Sequence, residues 1–88
     1  MRNFEIKPEL YKKLVKISKK DKKTYSFVLK KIDEIVNSEN PGHYKNLRHD
    51  MKYSKRVHIG HFVLIFSFDD KFDFISFEDF DHHDVIYK

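Results

Sequence analysis

The hydrophobic repeat of this chain changes near its midpoint, and that change limits the possible folds more than any other feature. Leu10, Leu14 and Ile17 recur at i, i+4 and i+7, with Tyr11 and Val15 beside them. That is the period of an amphipathic helix, ending near Lys19-Lys20. Pro8 suits its first turn. Asp21 suits the N-cap of a second helix, with Tyr25, Val28, Leu29, Ile32, Ile35 and Val36 as its apolar face. Asn37 to Gly42 ends that helix. From Tyr53 to Ile59 the period becomes two: Tyr53, Lys55, Val57 and Ile59 point one way, Ser54, Arg56 and His58 the other. After a Gly60-His61 turn, Phe62 to Phe68 is almost continuously apolar, as in a central strand covered on both faces. Asp69-Asp70-Lys71 reads as a hairpin turn and Phe72 to Phe80 as the next strand. Asp81 to Lys88 would be a strand end or a turn of helix.

Phe4-Glu5-Ile6 supplies one more short strand before the first helix. The predicted order is β-α-α-β-β-β, an α+β class: a four-stranded, mostly antiparallel sheet covered on one face by a helical hairpin, forming a single domain over residues 1–88. The other face would be open. Leu14, Leu29, Ile32, Val63 and Ile65 are expected in the core. With 88 residues that core is small, and nine Phe and five Tyr help to fill it.

Several chemistries are excluded by residue type. There is no cysteine, hence no disulfide, thiolate metal site or cysteine nucleophile. Gly42 and Gly60 are the only glycines, too few for a phosphate-binding loop. No apolar run approaches the roughly 20 residues of a membrane span, and the N-terminus lacks a signal-like apolar region. A cytoplasmic protein without membrane contact and without a cofactor is expected.

Charge is unevenly spread within a formal net of +4. Residues 1–44 carry eleven Lys/Arg against six Asp/Glu. Lys45, Arg48, Lys52, Lys55 and Arg56 then face Asp50 alone, whereas residues 69–88 hold seven acids and two lysines. A basic front attracts phosphate. Arg48, Lys52, Lys55 and Arg56 could grip a nucleic-acid backbone, or could simply protect an edge strand. His58 shares a strand face with Arg56 and could move a proton near neutrality, although a lone strand histidine is more often a bystander. In the tail, Asp81-His82-His83-Asp84 precedes Tyr87. Neighbouring strand residues point to opposite faces, so His82 and His83 would share a metal ion only on irregular backbone, and no metal is expected.

The segment from His43 to Lys88 resembles the RelE/ParE toxin superfamily, most closely its YafQ-like branch. The resemblance rests on His43-Tyr44-Lys45, Lys55-Arg56-Val57-His58-Ile59, Phe62-Val63-Leu64-Ile65-Phe66 before an Asp-Asp turn, and His82-His83-Asp84-Val85-Ile86-Tyr87. It implies a ribosome-dependent endoribonuclease that cuts mRNA in the decoding site, held inactive by a RelB-like antitoxin with an amphipathic helix in a hetero-oligomer. By motif, His58 matches the strand histidine, His82 and Asp84 the C-terminal H-x-D, and Tyr87 a terminal aromatic. Many members carry arginine where this chain has Phe62 and His83, so the phosphate-stabilising cation would come from Arg48, Lys55 or Arg56. The expected reaction is metal-free 2′-OH transesterification with His58 and His82 as acid–base pair and His83 as alternative to His82. Arg56 would stabilise charge and Tyr87 stack or relay a proton, with Arg48, His49, Lys52 and Lys55 on RNA or phosphate. Two other classes fit less of the pattern: a ParE-like gyrase inhibitor, and a non-catalytic RNA-binding domain.

Overall fold

Asp21 is the single residue between the two helices of the hairpin. Its N–H closes α1 (Pro8–Lys20) on the Ile17 carbonyl at 2.8 Å, and its carboxylate caps α2 (Lys22–Val36) by accepting from the Thr24 N–H at 3.1 Å and the Thr24 hydroxyl at 2.7 Å. The hydroxyl bond first, and the backbone bond after it, hold that carboxyl below its ordinary range. The computed structural model describes residues 2–48 and 53–87. His49 and Lys52, both expected on RNA, lie outside the described residues.

The remaining elements are β1 (Asn3–Ile6), a 3-10 turn at Pro41–His43, β2 (Ser54–Ile59), β3 (Phe62–Asp69), β4 (Phe74–His82) and α3 (His83–Ile86). The sheet runs β1-β4-β3-β2, with β1 parallel to β4 and the other pairs antiparallel. This is the expected order of elements and the expected class. Two boundaries differ. The turn after β3 extends to Asp73, whose φ is 51°, so β4 starts at Phe74 and runs on to His82. The tail is then a strand end followed by one turn of helix.

The helices lie on one face of the sheet because their apolar stripes can be buried nowhere else. Leu10, Leu14, Val28, Ile32 and Ile35 meet Leu64, Phe66, Ile75 and Phe77 in one core. Four of the five residues expected in the core are buried, but Leu29 is 42% exposed. The buried stripe of α2 is Val28-Ile32-Ile35-Val36, and Leu29 lies one residue step, about 100°, away from Val28.

β3 is buried on both faces, which accounts for its unbroken apolar run: Leu64 and Phe66 point to the helices, Val63 and Ile65 away from them. The far face is therefore not fully open as expected, since α3 folds back to pack on β3 and β4. A β-bulge falls where Ile65 pairs with Asp79 but Phe66 with Phe77. The extra residue resets the alternation, so Phe77 and Phe80 both reach the core, while Asp79 and Asp81 join the face of Ile65 and Val63.

β1 pairs only with Phe74–Phe77, leaving the last residues of β4 without a strand partner on that flank. Lys13 of α1 reaches there, its Nζ at 2.7 Å from Asp79 and 2.9 Å from Asp81. Lys13's bond, more than the desolvation that opposes it, lowers the Asp81 carboxyl below its usual value. A lowered carboxyl contributes stability above its unfolded-state pKa, about 4, and loses it as pH falls through the lower folded value. Asp81→Asn is thus expected to cost under about 1 kcal/mol near neutrality, the bridge being partly exposed. The gap to wild type should close by pH ~2. Urea midpoints at both ends of that range check it; a gap that stays constant would remove the ion pair from the account. At the other end of the molecule Arg2 ties three elements together, donating from Nε to Asp73 at 2.8 Å and from Nη1 to the carbonyls of Val36 and Ser38.

Candidate functional site

Strand alternation sends Arg56 and His58 from β2 to the face away from the helices, in register with Ile65 and Val63. α3 brings the tail to the same place. The His83 N–H donates to the His61 carbonyl at 2.9 Å, which fixes the start of α3 against the β2–β3 turn. The His83 ring then lies 5.6 Å from the His58 ring, centroid to centroid, at an interplanar angle of 25°. One helical turn on, the Tyr87 ring is 4.6 Å from His83. The Tyr87 hydroxyl accepts from Arg56 Nη1 at 3.0 Å, and the guanidinium carbon sits 5.7 Å from the phenol ring centroid. Arg56 Nε donates to the Asn46 carbonyl at 3.1 Å.

Arg56, Tyr87, His83 and His58 thus form one contiguous group built from a strand and a terminal helix turn. His58 and His83 are exposed, while Arg56 and Tyr87 are half-buried. The group holds two neighbouring imidazoles and a guanidinium held by two hydrogen bonds. Those two bonds occupy two of the five guanidinium donors, so the rest can meet an anion. Asp84 is 3.7 Å from His83 Nδ1 and otherwise fully in solvent. Among the described residues, no three His, Cys, Asp or Glu side chains converge in a way that could hold a metal ion.

The other residues singled out by sequence are dispersed. His82 occupies the opposite side of the sheet from His58, stacked on Phe62 at 4.4 Å. It is the last residue of β4 and His83 is the first of α3, and the two rings meet residues of opposite faces, His82 stacking on Phe62 and His83 on His58. The imidazole that lies beside His58 is therefore that of His83. Lys55 also faces the helix side, buried, with its ammonium on the Asn46 side-chain oxygen at 2.6 Å. It does not join Arg56. Arg48 is exposed in the segment before β2.

Two contributors were not legible in the sequence. Asn46 holds Arg56 through its backbone and Lys55 through its side chain, because residues 45–47 run antiparallel along the outer edge of β2. Lys13 bridges Asp79 and Asp81 at the rim of the sheet, offsetting one of their two charges. Both contacts depend on chain segments meeting across the fold, which no local pattern encodes.

No family profile matches the chain. Individual proteins do. It is 53% identical over 89 residues to a candidate toxin RelE4 of Methanocaldococcus jannaschii, covering 100% of this chain and 93% of that protein. It is 50% identical over 85 residues to an uncharacterized protein of Methanosarcina mazei, covering 96% of each. Among solved structures, a mutant of YafQ from E. coli superposes with a TM-score of 0.75 over 100% of both chains at 17% identity. The toxin–antitoxin complex RelBE2 of Mycobacterium tuberculosis gives 0.61 over 93% of this chain and 91% of that one, also at 17%. At such identities the structures speak for the fold, and the Methanocaldococcus jannaschii relative, more than half identical along the whole chain, carries the kinship: this chain belongs to the RelE-like toxin family.

Proposed function

We propose that the chain is the toxin of a toxin–antitoxin pair and an endoribonuclease that cuts mRNA in the ribosomal decoding site without a metal. The observation that supports this most is the His58–His83 pair lying beside a held Arg56. In the proposed reaction one neutral imidazole takes the proton of a ribose 2′-OH. The freed oxygen attacks the adjacent phosphorus, the P–O5′ bond breaks, and the other histidine, as imidazolium, protonates the departing O5′. The products are a 2′,3′-cyclic phosphate and a free 5′-hydroxyl. Arg56 offers its remaining donors to the phosphoryl oxygens as charge gathers there. Tyr87 keeps the guanidinium aimed and gives a ring on which a base can stack.

The natural partner in this reading is a cognate antitoxin with an amphipathic helix, and its likeness to the RelBE2 complex supports one. Acidic residues of that antitoxin would meet Arg56; Lys55, turned to the other face, would not take part. The proposed site of action is the cytoplasm, where ribosomes are. No helix among the described residues is long and apolar enough to cross a membrane. Translation in vitro, followed by mapping of mRNA ends, tests the reading. Cuts within ribosome-bound message, bearing 2′,3′-cyclic phosphates, are expected. Intact message with stalled DNA supercoiling would replace it by a gyrase inhibitor.

A further inference from the structure

His82 takes no part in the group formed by His58 and His83, yet it is exposed and stacked in a defined place. Its ring lies 4.4 Å from that of Phe62 at 28°, and Phe62 lies 4.8 Å from Phe80 at 12°. The three rings form a continuous stack that starts in the core and ends in solvent. This stack is one wall of a cleft of about 500 Å³ between the sheet end and α1. Across the cleft stand Lys16 and Lys20, one helical turn apart, with Ile17 between them. Two acids also line the cleft: Asp81, bound by Lys13, and Asp21, whose carboxylate is held by Thr24.

We infer that this cleft is a second RNA subsite, which stacks a base on His82 and holds its phosphates on Lys16 and Lys20; the inference rests on the nuclease reading above. An aromatic ring with its face in solvent, opposite two cations, complements a ligand that is both flat and anionic, and a nucleotide is both. A second cleft, lined by His61, His82, His83 and Asp84, wraps the end of the sheet. Its lining includes both His82 and His83. Consecutive residues of one chain thus serve the two faces, and a single strand cut at His83 passes over the sheet end to reach His82. The sequence holds two adjacent histidines because each face uses one.

The test uses full-length protein and a series of short 2′-O-methyl oligoribonucleotides, which cannot be cut, trimmed one nucleotide at a time. Stacking of one base corresponds to about 5- to 150-fold in affinity. His82→Ala is expected to weaken binding within that range, and His82→Phe to restore it. The loss should vanish for oligonucleotides too short to reach the cleft. Lys16→Ala with Lys20→Ala should flatten the slope of log affinity against log salt by about 1.4, at ~0.7 per phosphate on a single strand. Binding of His82→Ala within about twofold of wild type at every length would overturn the inference. So would a loss confined to an acidic amphipathic helical peptide, which would make the cleft a protein-docking site. If wild-type protein neither binds nor cuts RNA, the nuclease reading itself has failed. If it cuts RNA while His82→Ala binds normally, only the second subsite has.

Discussion

Replacing His58 or His83 by alanine is expected to lower the rate of RNA cleavage by about 10²–10⁴ each, the usual size of a lost general acid or base. The two rings are adjacent, at 5.6 Å between centroids, and in the proposed reaction they serve one proton path. The double variant should therefore lose less than the product of the single losses. Neither ring is in the core, so urea midpoints should move little. Growth arrest on expression would not separate lost chemistry from lost binding, and cutting and ribosome binding should be measured independently. The acid–base assignment requires binding to persist while cutting disappears. Wild-type rates in both single variants would shift the reaction to Arg56, acting through charge and position alone.

The largest effect on stability should come from Phe66→Ala. Phe66 is fully buried at the centre of β3, 5.9 Å from the Phe77 ring and edge-to-face with Tyr44 at 5.6 Å. Truncating a phenylalanine in such a site costs about 3–5 kcal/mol in lost burial plus cavity. Domains are stable by only about 5–15 kcal/mol, and one this short belongs to the lower part of that range, so the variant should be partly unfolded at ambient temperature. Leu29→Ala is the contrasting case. Its side chain is 42% exposed, and its removal should cost under about 1 kcal/mol. Equilibrium urea unfolding of both variants checks the pair. Similar losses would place Leu29 back in the core and rotate α2 by about one residue step.

The proposed site and the core occupy different parts of the chain, and those parts were unequally legible. Helix and strand types follow from local patterns. The 10-14-17 and 28-32-35 spacings can bury one stripe only on a helix, and the alternation of β2 separates Arg56 and His58 from Lys55 by geometry alone. The capping by Asp21 and the two-sided burial of β3 are local in the same sense. The site is a different matter. His58 and Arg56 could be placed on one face from sequence, but the choice between His82 and His83 could not, because it turns on where β4 ends. Had β4 stopped at Phe80, either histidine could have been the partner.

What the sequence by itself determined was the set of elements, their apolar faces, and the presence of His58, His82, His83, Arg56 and Tyr87 in the second half of the chain. What only the tertiary structure decided was which of these meet. The bulge opposite Ile65 reset the alternation of β4, the His61 carbonyl fixed the start of α3, and the edge pairing of residues 45–47 aimed Arg56. Each is a contact between segments far apart along the chain. A side chain's neighbours on its own helix or strand follow from a repeat of 3.6 or 2 residues. Its neighbours across the fold follow from register and packing, which no short stretch of sequence contains.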